Sequence, residues 1–151
     1  MIYSSSDYDQ HSLEKQLQDH EVEYTTQALN LSSVQLAAGC DAISVFSGDV
    51  ADEQVIKGLS ELGILFITTR SVGYEHINLE AAERYGIKVA NIPSYSPYSV
   101  SEHAIGLLLS LVRNLRKSHQ QFQKKDFRLD GLLGFDLHGK KVGVIGCGRI
   151  G

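Results

Sequence analysis

Three glycines near the end of the sequence have a spacing suited to holding phosphate. Gly146, Gly148 and Gly151, in "KKVGVIGCGRIG", make a G-x-G-x-x-G directly after the apolar positions Val142, Val144 and Ile145. In such a motif the first glycine permits a tight turn and the second lets the main chain approach a pyrophosphate. The third lets strand and following helix pack closely. The N-terminus of that helix would add free N–H groups aimed at phosphate oxygens. A ribose-binding acid would follow about 20 residues later. The sequence stops at Gly151, so the reading rests on the glycines and the apolar run before them. A glycine-rich turn with no ligand has the same spacing.

Other reactive side chains have simpler explanations. Glu102 and His103 are neighbours, and adjacent residues of a helix point about 100° apart, so they do not form an acid–base dyad with each other. His76 and His138 stand in loops with no partners at metal-ligand spacing, which makes them structural or solvated and leaves no metal site. Cys40 and Cys147 are the only cysteines. Neither belongs to a C-x-x-C, and both read as reduced thiols in a cytoplasmic protein.

Composition narrows the class. With 42% hydrophobic and 21% charged residues over 151 positions, the chain is an ordinary globular one, long enough for a real core. Eighteen acidic against 14 basic residues give a net charge of -4. A mildly acidic chain with no basic stripe is poorly suited to nucleic acid or an anionic membrane. The N-terminus carries no basic and apolar leader pattern, and the apolar run over residues 104–112 is too short to span a bilayer; it reads as a buried helix.

The elements that would position these residues alternate. "MIYSS" is a first strand, a helix follows from Ser12, and "VEYTT" is a second strand. "SSVQLAAG" makes a short helix capped by Ser32 or Ser33 and stopped at Gly39. "DAISVF" is the third strand, and "VADEQVIKGLSELG" a helix ending on Gly63. "ILFITT" is apolar throughout, as expected of a strand with helices on both faces. "NLEAAERYG" carries an Asn78 cap and a Gly86 stop, "IKVANI" is the fifth strand, and "PSYSPYS" is a loop. A long helix then covers residues 98–122, and "KKVGVIG" is a sixth strand. This order predicts an α/β fold, a flavodoxin-like doubly wound parallel sheet over residues 1–97. Residues 98–151 supply a crossing helix and the first strand of a second, Rossmann unit. A lone last strand cannot bury itself, so residues 98–151 should be poorly supported, fraying or pairing with another copy.

Two stretches are more specific than any periodicity. "TTRSVGYEHINLEAAERYGIKVANIPSYSPYSVSEHAIGLLLSL" and "FRLDGLLGFDLHGKKVGVIGCGRIG" resemble the D-isomer-specific 2-hydroxyacid dehydrogenases, and among them the NAD-dependent D-lactate dehydrogenases. The resemblance runs over essentially the whole chain. It implies two domains: a substrate domain built from the N-terminal segment plus a C-terminal return, with the coenzyme domain between. Residues 1–97 would be the N-terminal segment of the substrate domain, and 98–151 the crossing helix and start of the NAD-binding domain, so that the chain reads as the opening part of a longer protein.

By the same resemblance, Val72 and Gly73 would offer main-chain N–H groups to a substrate carboxylate, a chemistry suited to backbone donors. Tyr95 would reach the substrate through its hydroxyl. Val100 would lie near the nicotinamide ring, and Gly146, Gly148, Arg149, Ile150 and Gly151 would meet the NAD dinucleotide. The family's Asp-Asn-x-Asp is here Glu75-His76-Ile77-Asn78, a change expected to touch the fold rather than the chemistry. The family's catalytic arginine and its glutamate–histidine pair fall beyond Gly151, so no residue here is assigned to proton transfer, and residues 1–151 alone are expected to be inactive. The implied reaction is hydride transfer between NADH and a small 2-keto acid such as pyruvate, in a cytoplasmic homodimer. A dinucleotide-sensing, peptide-binding corepressor of the same family is the alternative.

Overall fold

The computed structural model describes residues Met1–Gly151 and divides into two compact units, Met1–Tyr95 and Ser96–Gly151. The first is built on three parallel strands, β1 (Ala42–Val45), β2 (Phe66–Thr69) and β3 (Lys88–Ala90), in that spatial order. Ile43 pairs with Ile67, and Ile67 with Val89. Ile2 bridges in parallel to both Ser44 and Tyr24, so the sheet continues past β1 through the two segments expected as first and second strands. Numbered as the sequence reads them, the spatial order is 2-1-3-4-5, the flavodoxin-like order.

Those two outer segments shrink to single bridges for a local reason. The ladder begins properly, with Ile2 N–H donating to Glu23 O at 2.8 Å and Thr25 N–H to Ile2 O at 2.9 Å. Ser4 then takes a positive φ of 46°, a left-handed conformation that ends a strand.

The helices form where their caps are. α1 (Asp7–Glu14) starts before the expected Ser12, because Ser6 and Asp9 make a reciprocal capping box that satisfies two end donors at that point. Val34–Ala37 winds as a 3-10 turn rather than an α-helix, with Ser33 at its N-cap. α2 (Glu53–Glu61) is capped by Asp52 and buries Val55, Ile56 and Leu59. α3 (Leu79–Arg84) is capped by Asn78, whose Oδ1 accepts from Ala81 N at 2.9 Å, and it buries Ala81 and Ala82. Gly63, with φ of +86°, turns the chain out of α2, a conformation that costs glycine little.

The core is one layer of helix on one face of the sheet. Ile43, Val45 and Ile67 point into it together with Val34, Leu59 and Ile87, all 5% exposed or less. Their alternates on the strands, Phe66, Thr68 and Lys88, are exposed. β2 buries every second residue.

In the second unit, the helix expected over residues 98–122 is two. α4 (Pro97–Val112) starts at the Ser96 cap with Pro97 in the first turn, a position where the missing N–H costs nothing. α5 (Leu115–Gln123) follows a break at Asn114, which has φ of +52°. The Asn114 amide donates to Leu133 O at 3.0 Å, which ties the break to the following segment. No strand forms at "KKVGVIG". Val142, Val144 and Ile145 are exposed, Ile145 completely, because a strand without a paired neighbour leaves its ladder groups to water.

Candidate functional site

The C-terminal end of β2 leads into the turn Ser71–Val72–Gly73, and the first unit fixes that turn from several sides. Arg70 anchors its start. The guanidinium donates to Tyr3 O at 2.9 Å, Ser4 O at 3.2 Å and Ser44 Oγ at 3.1 Å. It lies 3.4 Å from an Asp9 carboxylate oxygen and stacks over the Phe46 ring at 5.6 Å. Burial alone would raise the Asp9 pKa; hydrogen bonds from Ser6 and the Arg70 charge outweigh it and hold the carboxyl below its ordinary range. Arg70 therefore ties the ends of two strands and the first segment together through one side chain.

The turn itself is held peptide by peptide. Thr69 Oγ1 and Ser71 Oγ, both buried, are 2.6 Å apart, and Ser71 Oγ donates to Gly73 O at 2.7 Å. His76 Nε2 is 3.3 Å from Thr69 Oγ1, the structural role expected for this histidine. Ser71 O accepts from Ile92 N–H at 3.1 Å. Val72 O accepts from Asn91 Nδ2 at 2.8 Å, and Val72 N–H, expected to face a substrate carboxylate, instead donates to the Tyr95 hydroxyl oxygen at 2.9 Å, which leaves Gly73 as the main-chain donor of the turn.

Tyr95, 54% exposed, thus stands directly on this turn. Its oxygen accepts from the main chain, so its own O–H is turned to donate elsewhere. Gly73 N–H donates to no protein group. A side chain at residue 73 would put its Cβ 2.7 Å from Glu75 Oε2, the far end of a flexible side chain that would have to move aside. The result is a main-chain N–H and a phenolic O–H on one turn, a pair able to receive a carboxylate.

The second unit carries the other expected residues. Val100 lies in the first turn of α4, 42% exposed. Gly146 has φ of +95°, which strongly favours glycine. A Cβ on Gly151 would strike the Gly146 carbonyl, so this approach also needs glycine. The chain therefore turns back on itself between Gly146 and Gly151, with Gly148, Arg149 and Ile150 exposed.

Sequence reading missed Asn91, Arg70 and the Thr69–Ser71 pair. Asn91 stands in a segment read only as a strand and loop. A short amide just before Ile-Pro was the one available signal, since a side-chain donor there can serve a neighbouring turn.

Comparison with known proteins places the chain in a family. The family description "D-isomer specific 2-hydroxyacid dehydrogenase, catalytic domain" matches residues 1–144. A 2-hydroxyacid dehydrogenase homolog of Schizosaccharomyces pombe is 42% identical over all of this chain and 46% of its own. The D-lactate dehydrogenase of Escherichia coli is 35% identical over 99% of this chain and 46% of its own. The chain spans about half the length of the curated relatives it matches. Among solved structures, the apo-structure of the Escherichia coli D-lactate dehydrogenase superposes with a TM-score of 0.93 at 34% identity, over 99% of this chain and 48% of that one. D-lactate dehydrogenase from Aquifex aeolicus complexed with NAD and lactic acid gives 0.75 at 32% identity, over 99% of this chain and 45% of that one. The sheet order, the turn after β2 and these matches converge: the chain belongs to the D-isomer-specific 2-hydroxyacid dehydrogenases.

Proposed function

We propose that this chain is the N-terminal part of a cytoplasmic, NAD-dependent dehydrogenase that reduces a small 2-keto acid, pyruvate foremost, to the D-2-hydroxy acid. The observation that carries the reading is the Val72–Tyr95 hydrogen bond at 2.9 Å. It seats a tyrosine hydroxyl beside the Gly73 N–H on a turn braced by Arg70. In this reading residues 1–97 form the N-terminal segment of the substrate domain and residues 98–151 begin the coenzyme domain.

Substrate binding would divide between two donors. Gly73 N–H and the Tyr95 O–H each take one oxygen of the carboxylate. The bond that Val72 gives to Tyr95 polarises the phenol and strengthens its donation. Holding the carboxylate orients the adjacent keto group for reaction. The bound nicotinamide supplies the hydride. Val100, Gly146, Gly148, Arg149, Ile150 and Gly151 would hold it, and the two glycine contacts described above suit that role. No residue of the chain is given a proton to move, so residues 1–151 by themselves should not catalyse. The exposed apolar side chains of α4, among them Ile105, Leu107 and Leu111, support assembly as a homodimer.

The test is NADH oxidation by the complete protein containing this chain, with pyruvate and with larger 2-keto acids. A pyruvate-dependent rate is expected. A rate no higher than the buffer blank with every 2-keto acid tried would remove the reading.

A further inference from the structure

We propose that Asn91 is a positioning residue for the carboxylate: its amide aims the Gly73 N–H by holding the carbonyl on the same peptide unit. The inference rests on the substrate reading just given and adds a residue to it.

The peptide bond is planar. In a trans peptide the C=O of one residue and the N–H of the next point in opposite directions, so fixing one fixes the other. Val72 O and Gly73 N–H share such a unit. Asn91 Nδ2 donates to Val72 O at 2.8 Å, which turns Gly73 N–H away from Asn91. The preceding unit is fixed at both ends without any help from Asn91. Its carbonyl, Ser71 O, accepts from Ile92 N–H at 3.1 Å, and its N–H, on Val72, donates to Tyr95 at 2.9 Å.

The peptide that carries the free donor therefore has one holder, a side chain. It also borders a glycine, and glycine offers little resistance to rotation of the peptide before it. Without the Asn91 donor, the 72–73 peptide can turn over and present a carbonyl where the carboxylate binds. The apparent affinity then falls in proportion to the time spent misaligned. The amide must present nitrogen rather than oxygen to Val72, because Val72 O can only accept.

The experiment uses the complete protein with two replacements. Asn91→Leu removes the donor at similar volume. Asn91→Asp keeps the shape and places an acceptor against an acceptor. The readouts are steady-state kinetics with NADH and pyruvate, inhibition by oxamate, a carboxylate-bearing pyruvate analogue, and thermal unfolding. Both variants should raise KM for pyruvate and Ki for oxamate about tenfold, the weight of one well-placed hydrogen bond to a charged group. KM for NADH and the Tm should stay at wild-type values, and kcat should change far less than KM. An active wild type whose variants keep the wild-type KM and Ki would overturn the inference and leave the substrate reading standing. Variants that lose Tm, NADH binding and pyruvate binding together would also overturn it, since Asn91 would then serve the fold alone. A wild type with neither pyruvate turnover nor oxamate binding would remove the substrate reading, and this inference with it.

Discussion

Met1–Tyr95 and Ser96–Gly151 are built from similar residues and reach opposite ends of the burial scale. In the first, Ile43, Ile56, Leu59 and Ile67 are 2% exposed or less; in the second, Val112 is the single buried hydrophobic residue. α4 is the clearest case. Its run "AIGLLLSLV" is among the most apolar stretches of the chain, yet Ile105 is 57% and Leu111 76% exposed. Apolar content sets how much a segment gains from being covered. It does not set whether this chain provides the cover. In the first region the strands and their helices are contiguous in sequence and meet each other. In the second, residues 140–146 form no strand and meet no paired neighbour.

Hydrogen exchange on the 151-residue chain would sharpen the contrast most. Amides of β1 and β2 should exchange only through opening of the whole unit, slowed by a factor on the order of 10³ or more. Those of residues 142–145 should exchange at nearly the rate of an unfolded peptide. Strong protection of the latter in a monomer would break the comparison.

Mutational stability comes next. Leu59→Ala should cost about 2–5 kcal/mol, since the side chain is fully buried and leaves a cavity. Leu111→Ala, at an exposed position of α4, should stay within about 0.5 kcal/mol. Urea unfolding followed by circular dichroism measures both, and equal losses would show that α4 is packed after all.

Alkaline pH probes the first region alone. Tyr3 is buried, which pushes its pKa from 10.0 up to about 12, with nearby Cys40 and Asp49 adding to the rise. The folded state therefore keeps its proton after the unfolded chain has lost it. The stability this provides is whole below pH 10 and disappears as pH rises through about 12, a loss of about 3 kcal/mol across that window. Tyr3→Phe should flatten the slope, at the cost of the 3.0 Å bond from its hydroxyl to Ser33 O. An unchanged slope in the variant would assign the alkaline transition to another group.

Much of this was legible in the residues. The Asn78 cap, the stops at Gly63 and Gly86 and the β1, β2 and β3 segments all lie where local chemistry puts them. Tyr95 and the Ser71–Gly73 turn were legible only as a resemblance, because 23 positions separate Val72 from the hydroxyl it donates to. The misses have the same origin. α1 begins at Ser6 through a capping box that a leucine pattern does not report, and the long helix breaks at Asn114, where an amide finds carbonyls on a later segment.

The sequence by itself determined the alternation of strands and helices, the glycines that turn the chain, and the family. These follow from contacts within a few residues, where spacing is geometry. Tertiary structure alone decided which face of the sheet is covered, which apolar helix is left in water and which side chain aims the Gly73 N–H. Each depends on groups far apart in the chain, and their meeting is set by the packing of the whole unit.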